Sequence, residues 1–109
     1  MNAAPANPLR GEAPLVIAGQ PCRLRPSFAA LVAAEEELGP LFALVERAGQ
    51  GQLRLSEMTA LFWHCLAPSH VQSHAPTREQ VGEAVVAIGL AGCAAPLRVL
   101  LGQILQGQG

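Results

Sequence analysis

The side chains able to do chemistry in this 109-residue chain are few: three His, three Cys, eight Glu and seven Arg, with Lys, Asp and Tyr absent. His70 and His74 stand four apart, the spacing that puts two imidazoles on one face of a helix as metal ligands, with His64 and Cys65 upstream. The stretch between Pro68 and Pro76 has no helical pattern, and no Glu occurs between Glu57 and Glu79 to complete a ligand set. We therefore read the pair as loop histidines of unassigned role, and expect no metal site. Cys65 beside His64 suggests a nucleophile and its base, but neighbours on a helix diverge by about 100°. Cys65 is the small hydrophobe of a core and His64 a boundary residue.

The run Glu35-Glu36-Glu37 meets the same geometric objection as an acid/base pair, so it reads as a solvated face with at least one Glu near the edge of the buried side. Arg23 and Arg25 alternate on a strand, where they could hold a phosphate or an acidic partner or equally discourage unwanted strand pairing. Without Lys there is no Schiff base and no phosphate-loop lysine. Without Asp, a Ser-His-Asp triad or an EF-hand would have to be rebuilt from Glu. These gaps, and the lack of any convergent cluster, predict a protein that is not an enzyme and takes no cofactor.

Composition narrows the class further. Half the residues are apolar, 14% are charged and the net charge is -1, with a mean hydropathy of +0.31. Enough apolar surface exists to offset the entropy of ordering, so the chain is not disordered. Seven Arg against eight Glu leave no basic surplus for phosphates, which argues against nucleic acid as a partner. The cysteines, at 22, 65 and 93, form no CxxC pair and are odd in number, which fits a reducing cytoplasm better than a disulfide framework. Met1 to Pro8 lacks the basic and apolar regions of a signal peptide and reads as a flexible lead-in. The longest uncharged apolar stretch, Ala84 to Leu97, is too short to cross a bilayer and is broken by Gly89, Gly92 and Pro96.

The elements that must position these groups can be read in order. Leu15-Val16-Ile17, a turn at Ala18-Gly19-Gln20 and the return Cys22-Arg23-Leu24-Arg25 predict a hairpin, with Cys22 and Leu24 inward and Arg23 and Arg25 in water. Pro14 and Pro21 lack a ladder donor, which marks both strands as edges or both prolines as strand starts. Ser27 caps a helix whose stripe is Phe28, Leu31, Val32, Glu35 and Leu38, and Gly39 ends it. Pro40 opens a second helix carrying Leu41, Phe42, Leu44 and Val45. After the loop Gln50-Gly51-Gln52, Leu53 and Leu55 read as extended anchors and Ser56 as the cap of a third helix to about Leu66. Its core face is Met58, Leu61, Phe62, Cys65 and Leu66. Ser69 to Pro76 is a polar loop. Thr77 and Gln80 form a capping box for a fourth helix with Val81, Val85 and Ile88 inward. Leu90 to Leu105 is a last helix, bent near Pro96.

The expected architecture is mainly α: an N-terminal β-hairpin followed by a compact bundle of four to five short helices. Residues 9–105 form a single domain, between a lead-in at 1–8 and a frayed tail at 106–109. A domain this small buries only about two-thirds of its unfolded surface. Leu97, Leu100, Leu101, Ile104 and Leu105 therefore read as an apolar stripe for a protein partner, the alternative for any one of them being that the last helix simply closes the core, with Arg23 and Arg25 as further contact residues. Self-association is left open.

The order of features is itself informative. Asn7-Pro8-Leu9-Arg10-Gly11-Glu12, an apolar strand, a Gly-centred turn and Arg23-Leu24-Arg25 lead to a helix closing on Glu-Glu-Glu-Leu-Gly, then to Leu41 to Arg47. With Leu53-Arg54-Leu55-Ser56-Glu57 before the third helix and Gly89-Leu90 before an Ala- and Leu-rich one, this resembles the small tail proteins of gene transfer agents. Those are grouped with the phage tail assembly chaperones. Ala18, where relatives often carry a polar residue, and the His-containing loop are departures. The resemblance implies a cytoplasmic helper that coats the helical tape-measure protein and brings tail-tube subunits to it. Some such proteins are made in two lengths by frameshifting. The alternative is a structural tail component, a tube or connector subunit retained in the particle.

Overall fold

The computed structural model describes residues 12–67 and 76–106. The lead-in, the His70/His74 pair with its loop from residue 69 to 75, and the end of the tail from residue 107 lie outside the described residues.

β1 (Ala13–Ile17) and β2 (Gln20–Leu24) form an antiparallel hairpin. Ala18 and Gly19 supply its two-residue turn with φ of 52° and 77°. Positive φ at both positions gives the turn whose twist matches the strands. Val16 faces Pro21 and Pro14 faces Arg23 in the register. Both prolines thus occupy positions whose N–H would point away from the partner strand, so neither interrupts the ladder. Ala13, Leu15 and Ile17 are buried and Pro14 and Val16 are exposed, the alternation of a ribbon laid on a core.

Pro14 and Pro21 stand at the second residue of their strands, as strand starts, and β2 gains a further contact at its C-terminal end. Residues 65–67 run antiparallel beside it: Arg25 N–H donates to the Cys65 carbonyl at 2.6 Å and Ala67 N–H to that of Arg23 at 2.9 Å. Arg23 does not simply face water. It is half-buried, its Nε 4.0 Å from the buried Glu12 carboxylate.

Helix α1 (Phe28–Leu38) begins where the Ser27 hydroxyl accepts the Ala30 N–H at 3.2 Å, and ends at Gly39 with φ of 88°. Its inward face is Ala30 and Ala34, with Leu31 and Leu38 packed beside them. Phe28, expected inside, is 84% exposed, and Val32 is also exposed. Two small side chains let α1 approach α3 closely, and Glu37 reaches across to α3 and α4. Together they set the roll of the helix and turn positions 28, 32 and 36 outward.

Helix α2 (Leu41–Gly49) follows after Pro40. The Pro40 side chain carries no hydrogen-bond acceptor to cap it, and the Glu35 carboxylate accepts the Leu41 N–H at 3.1 Å instead. Leu44 is fully buried, whereas Phe42, also expected inside, is 69% exposed.

Helix α3 (Leu55–His64) starts earlier than expected. The Glu57 carboxylate accepts the Arg54 N–H at 2.9 Å. That makes Arg54 the N-cap, puts Ser56 inside the helix, and leaves Leu55 an exposed first-turn residue rather than an extended anchor. Met58, Leu61, Phe62 and Cys65 form the buried face as read from the sequence, while Leu66 pairs with Leu24 outside the helix.

The Thr77–Gln80 capping box is present in both directions, at 2.9 and 3.1 Å, and opens α4 (Arg78–Ile88). Val81 and Val85 are buried, and Ile88 is exposed. Gly89, with φ of 89°, turns the chain into α5 (Leu90–Gln106), and the two helix axes are bent by 118°. Pro96 lies within α5 and is buried.

Ile17, Leu24, Leu44, Leu61, Phe62, Val81, Val85, Cys93 and Leu100 meet in one core beneath the hairpin. Among the described residues no single helix is long and apolar enough to cross a membrane.

Candidate partner-binding surfaces

Two of the polar residues singled out by sequence, Glu37 and His64, form a clamp with Arg78. Arg78 donates from both terminal nitrogens to the Glu37 carboxylate, at 2.5 and 2.8 Å, and His64 Nε2 lies 2.8 Å from the same carboxylate. The guanidinium also sits 4.4 Å from the Trp63 ring centre, and Trp63 meets His64 edge-on with centroids 5.0 Å apart. One carboxylate at the end of α1 thereby ties α3 to α4. The Arg78 hydrogen bonds, then the His64 contact, pull the Glu37 pKa down to about 2. A carboxylate held this firmly ionised is a poor proton acceptor near neutrality.

A second clamp joins Arg47 of α2 to Glu57 of α3 through two hydrogen bonds of 2.8 and 2.6 Å. The Arg47 bonds and the Arg54 N–H lower the Glu57 pKa to about 2. Cys65 is fully buried, and desolvation pushes its thiol up to about 12, so the reactive thiolate is suppressed. These arrangements position helices and prepare no group for reaction. Among the described residues no three His, Cys or Glu side chains are grouped to hold a metal.

The apolar stripe of α5 is graded in depth. Leu100 is fully buried in the core, and Leu97 and Leu101 pack partly against it. Ile104 is half-buried and Leu105 is 52% exposed. Of the two arginines on the hairpin, Arg25 is exposed. An open groove also runs between the hairpin tip and α4, lined by Val16, Ala18, Ala84, Ala87 and Ile88 with Gln80 and Glu83 at its polar side.

More conspicuous are Phe28 and Phe42, two of the three phenylalanines in the chain, both turned outward. Helical spacing alone placed them in the core. The signal that would have rolled α1 correctly is the pair Ala30 and Ala34, which shares a side of the helix with Glu37.

The chain matches, over residues 10–107, the family described as phage tail tube protein, GTA-gp10. It belongs to that family. The match spans the hairpin and all five helices, so this is a tail protein of the gene transfer agent type, in a family of phage tail proteins rather than an enzyme class. No curated protein and no solved structure matches the chain.

Proposed function

We propose that this gene transfer agent tail protein is an assembly chaperone. It binds the tape-measure protein, the tail-tube protein or both in the cytoplasm while the tail is built. The observation that carries the reading is the occupied edge of the hairpin. A ring closed through a continuous β-sheet needs two free strand edges per subunit, one for each neighbour. Here residues 65–67 occupy the C-terminal end of the outer edge of β2, through Arg23, Leu24 and the adjoining Arg25. The outer edge of β1 is five residues long and lacks a donor at Pro14. A small helical protein with apolar surface left outside its core suits helix-on-helix contact with a long amphipathic partner.

Within this reading the α5 stripe is one contact, centred on Leu105 and Ile104 with Leu101 and Leu97 behind them. Leu100 supports it from the core, and Arg25 and Arg23 border the hairpin side. The expected outcome is that Leu105→Glu or Ile104→Glu weakens co-purification with the tape-measure protein while the thermal melt stays unchanged. Loss of folding would assign the stripe to the core alone.

The second reading is a tube or connector subunit retained in the particle, and the family's own description as a tail tube protein favours it. Mass spectrometry of purified particles separates the two. A chaperone is depleted from them, whereas a tube subunit is present at ring stoichiometry.

A further inference from the structure

Helices α1 and α2 repeat one pattern on their outer sides. On α1, Phe28, Val32 and Glu36 follow one another at intervals of four, and all three are exposed. On α2, Phe42 and Glu46 stand four apart and are likewise exposed. Each ridge has an aromatic residue near its N-terminal end and a carboxylate toward its C-terminal end. Residues four apart are neighbours along a helix, so each set is a continuous strip. A side chain as large as Phe stabilises by about 1.5–3 kcal/mol when buried, and here two are left in water.

The charge that these two helices leave unpaired is negative, the exposed Arg25 lying three residues ahead of Phe28 outside α1. Helix α1 contains no basic residue, and the single Arg of α2, Arg47, has its guanidinium bound to Glu57. Of the three glutamates closing α1, Glu37 holds the clamp to α3 and α4 and Glu35 caps α2. Glu36 has no such task and makes no ion pair among the described residues, and the same is true of Glu46. A carboxylate in the last turn of a helix faces the negative end of the dipole, which is an unfavourable place for it.

We infer that the outer ridges of α1 and α2 are a docking surface for a basic amphipathic helix. Its apolar stripe packs on Phe28, Val32 and Phe42, and its flanking Lys or Arg residues meet Glu36 and Glu46. This goes beyond the α5 contact. It rests on the chaperone reading only in taking the occupant to be a segment of a tail protein.

The test uses the full chain and two fluorescently labelled synthetic helices of about 18 residues, five turns. Both carry the same Leu stripe, bordered by Lys in one and by Glu in the other. The Lys peptide is expected to bind more tightly and to weaken with added salt. Phe28→Ser with Phe42→Ser should reduce its affinity about tenfold or more, with an unchanged thermal melt because both rings are exposed. Glu36→Arg with Glu46→Arg keeps both rings and should invert the preference toward the Glu peptide, which holds the test open if the Ser variant unfolds. Equal binding of the two peptides would overturn the inference. So would affinity that survives either double variant, or self-association of the chain that Phe28→Ser abolishes. Failure here with intact tape-measure co-purification removes this surface and leaves the chaperone reading standing. Success with ring stoichiometry in particles does the reverse.

Discussion

Glu57 shows how much one side chain can carry in a small chain with few charges. Its carboxylate closes the N-terminus of α3 on Arg54 and grips Arg47 of α2. Glu57→Ala should destabilise the fold by about 1–2 kcal/mol, mostly through the lost cap, measured by urea unfolding. Its pKa falls from an ordinary 4.5 to about 2 in the folded chain. A depressed carboxylate contributes stability that is complete above the unfolded pKa and is lost as pH drops through the folded one. Thermal stability should therefore decline between about pH 5 and pH 2, and Glu57→Gln should flatten that decline. Glu37 adds to it in the same direction, more weakly because its side chain is 38% exposed and screened by water. At the hairpin tip, Ala18 holds φ at 52°, a conformation that Asn adopts with less strain. Ala18→Asn should raise stability by up to about 1 kcal/mol, read from the shift in the thermal melt.

The elements themselves were largely legible, and most of the errors share one cause. The hairpin, the Ser27 and Thr77 caps, the Gly39 and Gly89 stops and the core face of α3 all follow from local spacing and turn chemistry, which sequence displays directly. What spacing could not give was the roll of α1 and the contact at the end of β2, each set by a partner distant in sequence: Arg78 for Glu37, and residues 65–67 for β2. The start of α3 is a local cap, Glu57 on the Arg54 N–H, which the Ser56 reading passed over. Spacing likewise does not show that Phe28 and Phe42 face outward, nor which residue of the α5 stripe closes the core, which is Leu100. The glycines of the last two helices allow a paired test. Gly89 has positive φ and open space around it, whereas Gly102 lies within α5 with open space and no such constraint. Gly89→Ala should destabilise by about 1 kcal/mol through backbone strain. Gly102→Ala should stabilise by a similar amount, about 0.8–1 kcal/mol, through helix propensity. Thermal melts of the two variants should move in opposite directions.

At the scale of the whole molecule, the low charge and high apolar fraction describe a protein whose polar groups are spent on holding short helices together. Both ion-pair clamps join helix to helix, and the cysteine weighed as a nucleophile is sealed in the core. The accessible features are apolar and aromatic: the end of α5 and the outer ridges of α1 and α2. Membership of a phage tail family gives those surfaces a setting, and the short hairpin, with the end of β2 already paired to residues 65–67, is a poor start for a sheet-based ring. The most direct measurement is quantitative mass spectrometry of purified particles alongside the assembling tail complexes that precede them. The chaperone account predicts this protein bound to tail proteins in the precursors and depleted from the finished particle. Its presence there in fixed, ring-like ratio to the other tail subunits would contradict the account.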